Sequence, residues 1–237
     1  MSAVSTVKSE ATRCFNSRNA AINDHPSILT DIFQENINIA IWERDLSTDI
    51  KSCVDKFLQS HSDYQSSLIV KPDTVYNKLI ESENALINAQ AFCKDISELV
   101  EMFCVLFDLE RVGLRLTVLD NAMCPRFHTD RVPCRLVSTY HGVASEWLAH
   151  NLVDRSKLGR GNNGQPDADS GLFQSEEDIS RLNIGDVAIL KGESWEGNEN
   201  AGLVHRSPQV PTNHKRFLLT LEYIKILNFT PVTVCLV

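Results

Sequence analysis

The 237-residue chain has no uninterrupted apolar run approaching the ~20 residues that a membrane helix needs. Its most apolar helical stretch, Leu99 to Leu109, is shorter and carries Glu101 and Asp108. Met1 to Asn19 lack the apolar core of a signal peptide, so a cytoplasmic protein is expected. A basic excess is missing as well. With 23 Lys and Arg against 31 Asp and Glu, the net charge of -8 argues against a general electrostatic grip on nucleic acid or on an anionic membrane. The seven cysteines (Cys14, Cys53, Cys93, Cys104, Cys124, Cys134 and Cys235) contain no Cys-x-x-Cys pair. An odd, scattered set fits reduced thiols better than a disulfide framework. Gly159 to Gly164 lack the Lys-Ser/Thr ending of a phosphate loop, which excludes nucleotide binding there. No Gly-x-Ser-x-Gly elbow occurs, so a Ser-His-Asp hydrolase has no support.

What is present reads as an ordinary globular chain, 43% hydrophobic and 23% charged, long enough for one large domain. Residues 1–30 are polar and aperiodic, and a loosely held segment is expected there. Ile37, Ile39 and Ile41 alternate as in a strand. Leu46, Ile50, Val54 and Phe57 lie at helical spacing, in a helix ending near His61. Ser67 to Val70 form a short strand stopped by Pro72. Val75, Leu79, Leu86 and Ile87 suggest a second helix. Phe92, Ile96, Leu99, Phe103 and Leu106 give the cleanest helical stripe, with Glu98 and Glu101 on a solvated face. From Val112 the texture changes to short strands: 114–119, 132–140, 145–148, 187–190, 203–207, 216–226 and 232–237, with Gly, Asn and Pro turns between them. Residues 154–171 make one long polar loop, of a length that is usually a lid or an insertion. The expected architecture is α+β, with 31–110 a mainly helical layer and 111–237 an all-β core of sandwich or barrel type.

The chemistry centres on Arg126-Phe127-His128-Thr129-Asp130. Side chains two apart on a strand project to the same face, so His128 and Asp130 stand side by side. A third ligand from a distant strand would complete a 2-His-1-carboxylate facial triad, the site type of non-haem Fe(II) oxygenases. His205 is the candidate, 75 residues beyond Asp130, on a strand where Leu203, His205 and Ser207 share a face. Eleven residues further on, Arg216 opens a strand in which Arg216, Leu218 and Thr220 alternate with Phe217, Leu219 and Leu221. Its guanidinium could pair bidentately with a carboxylate. Cys124 and Cys134, which flank the motif, read as small buried residues. Arg126, Arg131, Arg135 and Arg206 read as counter-ions for an acidic chain rather than as an anionic-substrate pocket. His141 and His150 read as structural or exposed, and His214 as solvated. Trp147 and Trp195 would serve equally as core or as a substrate wall.

The ordered set of His-Thr-Asp, a Gly-Asp turn before a strand, a distal His in LVHRSP and an Arg soon after resembles the 2-oxoglutarate- and Fe(II)-dependent dioxygenases of the cupin-like jelly-roll class. The resemblance implies a double-stranded β-helix, with His128, Asp130 and His205 as metal ligands and Arg216 as the anchor for the far carboxylate of 2-oxoglutarate. Tyr140, Ser138 and Ser207 are then candidates to support the ligands and the co-substrate. A wider resemblance, over FHTDRVPCRLVSTYHGVASEWL, GDVAILKGESW and GLVHRSP, is to a bacterial family known only as a domain of unknown function. It implies a fold and a metal site but no substrate. A small molecule is the default substrate, with a protein side chain second. Two other readings stay open: a non-catalytic protein holding Zn(II) or another divalent ion in the same triad, and a metal-free jelly roll.

Overall fold

The computed structural model describes residues 17–82 and 86–224. The expected strand at 232–237 and the last two residues of the strand expected at 216–226 lie outside the described residues. Ten strands are described: β1 (Asn19–Asn23), β2 (Ile37–Trp42), β3 (Gln65–Val70), β4 (Val112–Leu119), β5 (Cys134–His141), β6 (Glu146–Leu148), β7 (Ile179–Arg181), β8 (Val187–Lys191), β9 (Val204–Arg206) and β10 (Arg216–Glu222). Three α-helices accompany them: α1 (Thr48–Ser60), α2 (Val75–Ser82) and α3 (Gln90–Leu106). Seven strands form one sheet in the order β1-β2-β8-β5-β10-β4-β3, antiparallel except for the β1–β2 pair. The other three form a small antiparallel sheet in the order β7-β6-β9. The fold is thus mixed α+β, built on a large, mainly antiparallel sheet.

The period-two alternation of the strands divides the interior. Leu136 and Tyr140 of β5, Val187 and Ile189 of β8, and Phe217, Leu219 and Leu221 of β10 pack against the helices in one core. The intervening residues face the other way. Val137 and Ala188, with Ile39 and Ile41 of β2, meet Trp147 and Leu203 between the two sheets. Phe127, Leu148, Phe173, Ile179 and Val204 form a third cluster with Leu172. Its strand members lie on the opposite face of the small sheet from Trp147 and His205.

The helices follow from their stripes. In α1 the Ser47 side chain accepts the Ile50 N–H, which caps the helix, and Val54 and Phe57 are buried. In α3 the expected stripe is buried from Phe92 to Phe103, with Asp95 among it. Arg44 grips Asp95 with two nitrogens at 2.6 and 2.9 Å, and the Tyr140 hydroxyl donates to the same carboxylate at 2.5 Å. This network ties α3 to the sheet.

Three features differ from the sequence expectation. α2 ends at Ser82, so Leu86 and Ile87 do not extend it as helical spacing suggested, although Leu86 is buried. β7 carries one buried apolar residue, Ile179, too few to show alternation. β1 falls within the segment expected to be loosely held. Its one large apolar residue, Ile22, is exposed, and the strand is held by backbone pairing along the edge of β2. Among the described residues no helix is long and apolar enough to cross a membrane.

Candidate metal centre

His128 and His205 meet as a reciprocal antiparallel pair. Each backbone N–H donates to the other's carbonyl at 3.0 Å. Residues paired in this way project their side chains to one face, and the two imidazole rings lie 4.6 Å apart. The His-Thr-Asp segment is no regular strand. It extends the small sheet at this single bridge, and that is enough to aim His128. Asp130 then closes the cluster, with its Oδ1 3.7 Å from His128 Nε2 and its Oδ2 3.6 Å from His205 Nε2. The three expected ligands come together, with one ligand atom from each within 4.8 Å of the others.

The tautomers follow from the neighbours. His128 Nδ1 lies 2.9 Å from the Arg126 carbonyl, and His205 Nδ1 lies 3.2 Å from the Leu203 carbonyl. A carbonyl only accepts, so both Nδ1 atoms carry the proton and both Nε2 lone pairs are left facing Asp130. Burial pushes His205 down to about 4, aided by the charges of His128 and Arg135 and opposed by Asp130. Burial works to raise the Asp130 carboxyl, but His205, Arg135 and His128 together outweigh it and hold it below its ordinary range. At neutral pH His205 is therefore a neutral imidazole and Asp130 an ionised carboxylate, the forms that bind metal.

The donor set fits a first-row divalent ion. Metal bonds of about 2.0–2.2 Å place neighbouring ligand atoms about 3 Å apart, so the observed 3.6 and 3.7 Å need only a small inward movement. Two nitrogens and an oxygen without thiolate are not the donor set of a soft-metal site. The Cys134 side chain is buried in the core that faces the helices, and burial pushes its thiol up to about 12.

Asp130 is held at its side chain and at its backbone. Arg135 of β5 reaches its Oδ2 at 2.9 Å and Glu222 of β10 at 3.2 Å. The Glu193 N–H donates to the Asp130 carbonyl at 2.8 Å. Gly192 lets that turn approach, because a Cβ there would stand 2.1 Å from the Val132 carbonyl oxygen and 2.8 Å from that of Asp130.

Arg216 is fully buried on the same inward face. Its Nη1 donates to Ser207 Oγ and its Nη2 to Ser145 Oγ, each at 2.7 Å. Among the described residues no carboxylate lies within ion-pair distance, and burial pushes the guanidinium down to about 10 despite the pull of Glu146. Ser207 thus stands where expected, beside Arg216. Tyr140 does not. Alternation along β5 turns it to the helical side, where it serves Asp95, and Ser138 shares that face. The flanking arginines are taken by carboxylates. Arg126 pairs with Asp167, Arg135 with Asp130 and Glu222, and Arg206 with Glu146. A cavity of about 480 Å³ borders Ser207, Arg206 and Glu146, but none of the triad lines it.

Sequence reasoning missed Ser145, and it read Arg135 as a counter-ion and Gly192-Glu193 as a turn without joining either to Asp130. Ser145 lies just before β6, two residues before Trp147, and the pairing of β6 with β9 brings it toward Ser207.

The model of a family described as "Protein of unknown function (DUF1826)" matches residues 23–222. No curated protein matches the chain. Among solved structures, AviO1 from Streptomyces viridochromogenes Tue57 is 14% identical over 86% of this chain and 97% of its own, with a TM-score of 0.44. A prolyl-4-hydroxylase from Pseudomonas putida is 10% identical over 84% and 97%, with a TM-score of 0.43. The dioxygenase for auxin oxidation 1 from Arabidopsis thaliana, solved with 2-oxoglutarate, is 10% identical over 86% and 91%, with a TM-score of 0.41.

Proposed function

The chain belongs to the DUF1826 family of proteins of unknown function, and we propose that it is a non-haem Fe(II)- and 2-oxoglutarate-dependent oxygenase of the hydroxylase type. The observation that carries this reading is Arg216, a buried guanidinium bonded among the described residues to two hydroxyls. A buried cation without a carboxylate is costly, and a ligand carboxylate would relieve it. Its partner Ser207 lies one strand repeat from His205 on the same face, about 7 Å along the strand. That span suits a five-carbon diacid with one end at the metal and the other at Arg216.

In this reading His128, Asp130 and His205 hold the metal from one side. Arg135 keeps the Asp130 carboxylate ionised and in one orientation. The Arg126 and Leu203 carbonyls accept from the two Nδ1 atoms and so turn both Nε2 atoms toward the metal position. Arg216, Ser207 and Ser145 anchor and orient the far carboxylate of the co-substrate. When bound, the metal and 2-oxoglutarate supply the activation of dioxygen. The protein excludes water, since the Asp130 and His205 side chains are only 13% and 10% exposed. The substrate is a small molecule. The two sheets, with the metal between them, are read as a double-stranded β-helix in one domain, which the β1–β2 pairing starts near Asn19.

The test is anaerobic titration of Fe(II) with 2-oxoglutarate, following the weak visible charge-transfer band. The band is expected with the native sequence and is expected to vanish in His205→Ala and in Arg216→Ala. Tight metal binding with no band and no effect of 2-oxoglutarate would sink the oxygenase reading in favour of a non-catalytic Zn(II)-type site.

A further inference from the structure

The loop of residues 154–171 returns to the segments that carry the two histidines. Asp167, near its end, is 6% exposed and touches both ligand-bearing segments. Its Oδ2 accepts the Phe127 N–H at 2.8 Å, and its Oδ1 lies 2.8 Å from Arg126 Nε. On the other side, Arg206 Nη1 lies 3.7 Å from Oδ2. Arg206 directly follows His205, and its guanidinium lies over the Phe127 ring at 4.3 Å. Phe127 in turn meets Phe173 edge-on at 5.7 Å. The Ser170 hydroxyl donates to the Asp167 carbonyl at 3.0 Å, and Arg126 also reaches the Gln165 carbonyl.

Backbone direction explains why a carboxylate is needed. His128 turns its N–H toward His205, so the preceding N–H of Phe127 points away from that partner. Phe127 is buried, and its N–H would be unsatisfied without Asp167. The Arg126 carbonyl fixes His128 Nδ1, so the lie of the Arg126–Phe127 backbone sets the direction of His128 Nε2. We infer that Asp167 is a positioning residue for the metal centre, one loop carboxylate that holds both histidine ligands in register. The inference rests on the metal reading of the triad and needs neither iron nor 2-oxoglutarate.

Co(II) is the probe, because its visible d–d absorption reports ligand geometry. The experiment compares the full chain with Asp167→Ala, Asp167→Asn and Asp154→Ala. Asp154 lies in the same loop, and among the described residues its side chain bonds Ser156 and none of the ligand segments. Removing a residue that orients metal ligands typically costs about 10- to 100-fold in affinity. Asp167→Ala is expected to weaken Co(II) binding by that factor and to change the d–d band at saturation. Asp167→Asn, which keeps an oxygen for Phe127 N–H but not the charge, is expected to fall between. Asp154→Ala is expected to match the native protein. Should Asp167→Ala fail to fold, the Asn variant is held to the same criterion. Native affinity and an unchanged saturated spectrum in the Asp167 variants overturn the inference, even if their melting temperature drops. No Co(II) binding by the native protein overturns the metal reading itself, and the positioning role with it.

Discussion

Arg135 and Arg216 start neighbouring strands and face the same side of the large sheet, yet they do different work. Arg135 has carboxylates on both sides, Asp130 and Glu222, and Arg216 has two hydroxyls. Arg135→Met is therefore expected to weaken Co(II) or Mn(II) binding by about tenfold or more, measured by calorimetry, because it frees a ligand carboxylate to reorient. Tyr140 supplies the contrast. Its hydroxyl serves a buried carboxylate on the far face of the sheet, so Tyr140→Phe should leave the Fe(II)–2-oxoglutarate band intact. It should lower unfolding stability by about 1.5–3 kcal/mol, the usual worth of a hydrogen bond to a charged group. A changed band would place Tyr140 in the site after all. Asp130 was legible in the sequence as a ligand from its spacing to His128. Arg135 was legible only as one of four flanking counter-ions, and nothing in its spacing joined it to Asp130 in particular.

At the scale of elements, the helices were the most legible part because their stripes repeat over many residues. α1 and α3 match the expected apolar positions, and the Ser47 cap is local chemistry. Ser47→Ala should cost about 1 kcal/mol in urea unfolding, with no effect on metal binding. The elements missed, β1 and β7, are short and bury little of their own side chains. They exist because β2 and β6 offer them backbone partners. The long loop was legible as a loop but not as a strut. Its stretch from Asn163 to Pro166 is exposed, while Asp167, Ser170, Leu172 and Phe173 are buried. Limited proteolysis should therefore nick residues 163–166 first and spare 170–173, at the same rate with or without metal and 2-oxoglutarate. Protection that appears only on adding both ligands would instead mark the loop as a lid.

At the scale of the molecule, one buried amine stands out among the described residues. Lys191 is 2% exposed and donates to the Gln34 carbonyl at 3.0 Å, with the Trp195 ring 4.7 Å away. Burial pushes it down to about 8, helped by Arg18 and opposed by Cys134 and Glu35. The unfolded chain keeps the ordinary value near 10.5, so between pH 8 and 10.5 it binds more protons than the folded protein. Lys191 therefore penalises folding below pH 8, and the penalty fades as pH rises toward 10.5. Denaturation of the native protein beside Lys191→Met should show their stability difference moving in favour of the native protein across that window. A difference that is flat with pH would contradict the depressed value.

The amino-acid sequence by itself determined what is local in the chain. It marked the stripes of α1 and α3, the alternation of β2, β5 and β10 and the His128–Asp130 pair, because each depends on spacing within a few residues, and it offered His205 and Arg216 as candidates through the order of the motifs. Tertiary structure alone decided the rest. The His128–His205 bridge joins residues 77 apart and fixes both rings on one face. The pairing of β6 with β9 puts Ser145 and Ser207 together under Arg216. The return of the long loop brings Asp167 to both ligand segments, and the pleat of β5 sends Tyr140 away from them. The physical reason is register. A one-residue slip turns every side chain of a strand to the opposite face, and register is set by partners far along the chain.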